Sequence, residues 1–138
     1  MGLLDRVKEM FNRDAGEEPP ELPLDVEKRR AQLDELENAL RSLTRAMAGE
    51  GERMNNPGWR GRVDDLRFAA NEAGRLSHEG FDRAALHDLA AEVRPLYGDG
   101  PVPAEYAAFA VEHERVMGAV RELRQPLPTE GEGDSAQG

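Results

Sequence analysis

The sequence predicts an all-α protein: an antiparallel bundle of about four helices, preceded by a tethered amphipathic helix. Apolar residues recur at steps of three and four in four separate segments, which places them on one face of each predicted helix. Stretches that contain proline or glycine separate these segments. None of the segments has the alternating pattern that predicts a β-strand.

The first long stripe of apolar residues runs from Leu33 to Met47. Its members are Leu33, Leu36, Leu40, Leu43 and Met47. Alanines beside the stripe make it broader than the seam of a two-stranded coiled coil, so this helix is expected to pack against several neighbours. Asp25 is a suitable N-cap, while Gly49 and Gly51 place the end of the helix between residues 48 and 54.

Three more helices follow along the chain. One is predicted from Pro57 or Arg62 to Ser77, with Asn56 placed to cap it. The next begins after the N-cap Asp82 and ends at Pro95, and the last runs from about Pro103 to Pro126. Because the first and last helices are predicted to be the longer pair, we expect part of a groove to stay open beside the two shorter ones.

Residues 1–14 are predicted to form a short amphipathic helix. Its apolar face consists of Leu3, Leu4, Val7, Met10 and Phe11. A helix this short is marginal alone in water, so it should order only when that face is covered by the bundle, by a partner protein or by a membrane surface. Residues 15–24 are rich in Pro and Glu and are interpreted as a linker, of which 15–23 reach roughly 28 Å at about 3.1 Å per residue.

The charge of the chain limits its partners. The formal net charge is −10 over 138 residues, and much of the acid lies in the linker and near the C-terminus. Nucleic acid is disfavoured as a partner, because phosphate binding requires clustered Lys and Arg. We expect residues 25–127 to form the bundle domain and residues 128–138 to form a disordered acidic tail.

Cysteine usage and hydropathy bear on where the protein acts. The chain contains no cysteine, which excludes disulfides and thiolate metal sites and is typical of a reducing compartment. No apolar run approaches the roughly 20 residues that span a bilayer, and the N-terminus lacks the apolar core of a secretory signal. We therefore expect a cytoplasmic protein, with peripheral contact at a membrane as an open alternative.

The sequence predicts no catalytic, metal or cofactor site. None of His78, His87 and His113 has a carboxylate three residues before it, and no two histidines are four apart. Both spacings of helical metal motifs are therefore missing. His113 lies on the apolar stripe of the last helix, where its ring is expected to bond a carbonyl or a water, whereas the other two histidines are expected to be exposed.

We expect a non-enzymatic interaction or adaptor protein that docks through residues 1–14 and the bundle surface onto a partner protein or a membrane surface. Self-association is also open. The alternative is a small-molecule-binding or enzymatic bundle with its site among Trp59, Tyr97, Tyr106 and His113, whose side chains combine aromatic walls with polar tips. A cavity lined by these side chains would favour that alternative. Trp59 itself is expected in the core, although tryptophan is also enriched at interface hot spots.

Overall fold

The computed structural model describes residues 23–130, which contain helices and no β-strand. Its four α-helices are α1 (Val26–Ala48), α2 (Pro57–Glu79), α3 (Arg83–Glu92) and α4 (Ala110–Arg124). Short 3-10 helices lie at Arg53–Asn55, Ala104–Phe109 and Pro128–Glu130. The predicted helix at 1–14, most of the linker at 15–24 and residues 131–138 lie outside the described residues.

Helix α2 packs along α1 in the antiparallel direction. At one end of the pair, Nε of Arg30 donates a hydrogen bond to the carbonyl oxygen of Ser77 at 2.8 Å. At the other end, the indole Nε1 of Trp59 donates to the carbonyl oxygen of Met47 at 3.0 Å. The start of α1 therefore lies beside the end of α2.

Helix α4 also runs antiparallel to α1, on its other side. Arg29 donates to the carbonyl oxygen of Glu122 at 3.1 Å, and Arg115 donates to Glu35 at 2.7 Å. Helix α3 contacts both α2 and α4. The result is an up-down-up-down bundle in which α1 and α3 occupy diagonal positions, so the predicted antiparallel four-helix bundle is confirmed.

The local signals that start and stop these helices act as the sequence predicts. The side chains of Asp25, Asn56 and Asp82 each accept a backbone N–H in the first turn of the helix that follows. Such caps satisfy donors that have no partner within the helix. Gly80 ends α2 with a φ of 117°, a backbone conformation that favours glycine, and thereby allows the sharp turn into α3.

The core lies where the four apolar stripes meet. All five residues of the Leu33–Met47 stripe are fully buried, and Phe109 and Val116 from the other side of the bundle are at most 5% exposed. The exposed surface of α1 carries charged residues such as Glu27 and Arg45. Among residues 23–130, no helix is both long and apolar enough to cross a lipid bilayer.

The relative lengths of the helices differ from expectation. Helix α2 has 23 residues and equals α1, whereas α4 has only 15, so the prediction that the first and last helices form the longer pair is wrong. The predicted start of α4 is instead the 3-10 helix Ala104–Phe109. With about three residues per turn, this helix turns Tyr106 and Phe109 to the same side, where both rings meet Trp59.

The C-terminal end of the fold extends further than the sequence predicts. The sequence places residues 128–138 in a disordered tail, but Pro128–Glu130 forms a helical turn and the Glu130 side chain is buried. The reason is a long-range ion pair with Arg29, which the local acidic composition does not reveal. The bundle domain therefore extends at least to residue 130, beyond the predicted end at residue 127.

Candidate functional site

A groove opens between α2 and the chain that follows the end of α3. Its volume is about 720 Å³. Its floor includes Leu66 and Ala69, which are almost fully buried, and Phe68 stands at its side. Other lining residues are Arg62, Asp65, Ala91, Glu92, Arg94, Pro95 and Leu96. This is the larger of the two cavities that we describe.

The groove exists because α2 is much longer than its neighbour α3. Helix α3 stops at Glu92, and Pro95 cannot continue a helix because it lacks an N–H and its ring clashes with the preceding turn. From Arg62 to Ala69, α2 therefore faces an extended stretch of chain instead of a full helix. The groove therefore comes from a short α3 beside a long α2, and not from the longer first and last helices that the sequence predicts.

Phe68 is the most distinctive side chain of this groove. Its side chain is 62% exposed. Burying a phenylalanine side chain in the core would stabilise the folded protein by up to about 3 kcal/mol. Phe68 lies off the stripe of α2 that contains Trp59, Val63 and Leu66, so the core of the bundle does not cover it. Sequence reasoning missed it, although a large apolar residue beside a complete stripe was a usable signal.

The charges around the groove balance. Arg62 and Arg94 contribute two positive charges, while Asp65 and Glu92 contribute two negative ones. Such a rim creates no strong field of one sign and does not resemble the clustered cations of a phosphate-binding surface. The groove is therefore suited to an occupant that is apolar in its centre and neutral overall.

The aromatic residues singled out from the sequence converge in the structure. Trp59 and Tyr106 stack with ring centroids 5.6 Å apart, Tyr97 lies 5.8 Å from Tyr106, and His113 lies 4.3 Å from Tyr97. The Tyr106 hydroxyl accepts a hydrogen bond from Arg62 at 2.6 Å, which links this aromatic cluster to the groove. Trp59 is buried, as expected for a core residue.

The space inside the aromatic cluster is filled by its own rings. A second cavity of about 310 Å³ lies next to it and touches Trp59. Its other lining residues are Glu52, Arg53, Asn56, Gly58, Arg62 and Glu105. Neither this cavity nor the groove includes Tyr106 or His113 in its lining. The cluster therefore acts as packing in the described structure, and we do not propose it as a ligand site.

His113 has a hydrogen-bond partner of an unexpected kind. Its Nε2 accepts the backbone N–H of Leu96 at 3.0 Å, whereas a carbonyl or water was expected. Burial lowers the pKa of His113 from its usual value of 6.5, since a charged ring would lose its hydration. The neutral ring thus fastens the segment after α3 to α4. His78 and His87 are exposed, as expected.

No family model matches the chain, and neither a curated protein nor a solved structure matches it. Between residues 23 and 130, no group of three or more acidic or histidine side chains is arranged to hold a metal ion. All five side chains predicted to dock a partner lie outside the described residues. They are Leu3, Leu4, Val7, Met10 and Phe11.

Proposed function

We propose that this chain is a non-enzymatic interaction protein of the cytoplasm, whose bundle binds an amphipathic helix of a partner protein in the groove between α2 and the end of α3. The observation that carries the proposal is the exposed ring of Phe68 beside the apolar floor of Leu66 and Ala69. Helices that dock in grooves insert a few apolar anchors from one face and leave their polar face in solvent.

Three features favour a protein segment over other occupants. Enclosed, mostly apolar pockets are typical of small-molecule sites, whereas this groove is partly open to solvent and has charged side chains at its rim. Anionic membranes attract an excess of basic residues, whereas the rim charges of Arg62, Asp65, Glu92 and Arg94 balance. A neutral rim around an apolar floor resembles the anatomy of protein interfaces, in which aromatic side chains are enriched.

Site-specific photo-crosslinking tests the proposal. A photoreactive phenylalanine analogue replaces Phe68, and a matched control places it at Val111, an exposed apolar residue of α4 outside the groove. In a lysate of the source cells, we expect position 68 to give a discrete protein adduct, identified by mass spectrometry, that position 111 does not give.

A blocking variant makes the test specific to the groove. Ala91 lines the groove and is exposed, so Ala91→Arg should abolish the adduct without unfolding the bundle. Ala31→Arg, an equal change on an exposed position of α1, should leave it unchanged. Identical adducts from positions 68 and 111, or an adduct that survives Ala91→Arg, would overturn the proposal. Binding to liposomes that depends on Phe68 would instead assign the groove to lipid.

A further inference from the structure

We infer that the chain's own N-terminal amphipathic helix, residues 1–14, occupies the groove between α2 and the end of α3 until a partner displaces it. This inference rests on the proposed function, since it treats the groove as a surface that binds amphipathic helices. It states that the groove binds a segment of the same chain when no partner is present. The external partner then has to compete with a segment tethered to the same molecule.

The position of the tether supports this occupant. The described chain begins at Pro23, just before α1, and Arg30 in the first turns of α1 bonds the carbonyl oxygen of Ser77 at 2.8 Å. The guanidinium of Arg30 also lies 5.9 Å from the ring centroid of Phe81, between α2 and α3. Pro23 therefore lies at the end of the bundle where α2 turns into α3. From there, the groove lies further along α2, towards the N-terminus of that helix.

The length of the linker suffices. From Ser77 to Phe68, α2 rises by roughly 14 Å at 1.5 Å per residue. Residues 15–23 reach roughly 28 Å in the extended conformation that their three prolines favour. A helix over 1–14 would be about 21 Å long, and the α2 side of the groove from Arg62 to Ala69 is about 11 Å long. The segment can thus reach the groove and cover it.

The chemistry of the two surfaces also matches. The N-terminal segment presents an apolar face that is marginal in water alone. Its apolar residues are Leu3, Leu4, Val7, Met10 and Phe11. Its side-chain charges cancel, with three acidic and three basic residues, Asp5, Glu9 and Asp14 against Arg6, Lys8 and Arg13. The rim of the groove is balanced in the same way, so neither surface repels the other or attracts anionic lipid.

Binding within one molecule is favoured over exchange between two copies. A short linker that can span the distance to a site holds its ligand there at an effective concentration on the order of millimolar, well above the micromolar concentrations of ordinary solutions. We therefore infer that residues 1–14 bind the groove of their own molecule. Binding to the groove of a second copy would appear in the test below as a disulfide between molecules.

Disulfide trapping in the full chain tests the inference, because the protein contains no native cysteine that could interfere. The variant Val7→Cys with Ala91→Cys pairs the N-terminal apolar face with the groove. The control, Val7→Cys with Asn38→Cys, uses an exposed position on α1, diagonal to α3 and within reach of the same linker. Under mild oxidation, we expect the groove pair to form an intramolecular disulfide about tenfold faster than the control pair.

Adding Leu4→Glu and Phe11→Glu to the groove pair should reduce its rate to that of the control. Equal rates for the two pairs would overturn the inference, and so would a disulfide that forms only between molecules. The second result would assign the groove to a second copy of the chain.

The inference and the proposed function can fail separately. In full-length protein with Leu4→Glu and Phe11→Glu, the adduct from position 68 should increase severalfold, because the internal competitor is weakened. If the groove pair fails to form a disulfide while the Phe68 adduct persists, the inference is wrong and the proposed function stands. If the disulfide forms but position 68 gives no partner adduct in either background, residues 1–14 occupy the groove, no partner displaces them, and the proposed function is wrong.

Discussion

Glu130 and Arg29, 101 residues apart, form a buried bidentate ion pair. Nε of Arg29 donates to Oε2 of Glu130 at 2.8 Å, and Nη2 donates to Oε1 at 2.7 Å. Arg29 also donates to the carbonyl oxygens of Glu122, Leu123 and Gln125 at the end of α4, and to the side-chain oxygen of Gln32. One guanidinium thus joins the start of α1, the end of α4 and the C-terminal turn.

Removing the carboxylate should destabilise the bundle. We expect Glu130→Ala to lower the free energy of unfolding by about 3 kcal/mol, at the low end for a broken buried pair, because the C-terminal turn can swing out and let water reach Arg29. Urea denaturation followed by circular dichroism measures this loss. The control Glu114→Ala removes an exposed pair with Arg121 and should cost less than about 1 kcal/mol. Equal losses in the two variants would show that the buried pair has no special role.

The same pair should make stability depend on acid pH. The hydrogen bonds from Arg29 are the main reason that the pKa of Glu130 falls from 4.5 to about 2. Between pH 4.5 and 2, Glu130 therefore stays ionised in the folded protein but is protonated in the unfolded chain. The stabilisation by the ion pair is fully present above about pH 4.5 and is lost as the pH falls towards 2. Urea midpoints measured from pH 6 to pH 2 should fall less steeply in Glu130→Gln. A slope that Glu130→Gln leaves unchanged would assign the acid sensitivity to other carboxylates.

His113 should make stability depend on pH in a range above that of Glu130. Burial lowers its pKa, and its Nε2 accepts the N–H of Leu96, so the folded state holds the neutral ring. As the pH falls below about 6.5, the unfolded chain binds the proton first, and the free energy of unfolding should decrease until the pH passes the lowered pKa of the folded state. Urea denaturation at pH 7.5 and 5 should show a smaller decrease for His113→Gln. The exposed His87 offers a control, since His87→Gln should behave as the wild type does.

Two glycines should respond to alanine in opposite directions. A Cβ at Gly61, within α2, would meet no atom within 4 Å, so Gly61→Ala should stabilise the protein by about 0.5 to 1 kcal/mol through helix propensity. Gly80 has a φ of 117° and a ψ of 160°, so Gly80→Ala should destabilise it by about 1 to 3 kcal/mol. Thermal unfolding of the two variants gives the comparison. A stabilising Gly80→Ala would mean that the turn between α2 and α3 is built differently.

The elements that the sequence predicted well are those governed by local chemistry. The stripe from Leu33 to Met47 is buried because its spacing alone places it on one helical face. The caps Asp25, Asn56 and Asp82 act within three residues of their own positions, so no tertiary information was needed to find them. The sequence singled out Trp59, Tyr97, Tyr106 and His113, but it did not predict that their rings would meet.

The features that the sequence did not reveal depend on contacts between distant parts of the chain. Glu130 looked like a solvated tail residue because its partner Arg29 lies at the other end of the fold. The 3-10 helix before α4 follows from how Tyr106 and Phe109 fit against Trp59, which helical periodicity does not encode. The groove depends on how far α3 extends along α2, and boundaries are the least certain part of a sequence-based assignment.

The backbone N–H of Asp25 also donates to Oε2 of Glu130 at 3.1 Å, so the two ends of the described chain meet at one corner of the bundle. With its two ends in contact, the fold is in effect a closed ring of four helices that happens to be cut at that corner. A circular permutant that joins the ends through a short glycine-rich bridge and starts in the turn at Gly98 would keep every pair of neighbouring helices. It would also move both chain termini to the opposite pole, away from the place where the linker now enters.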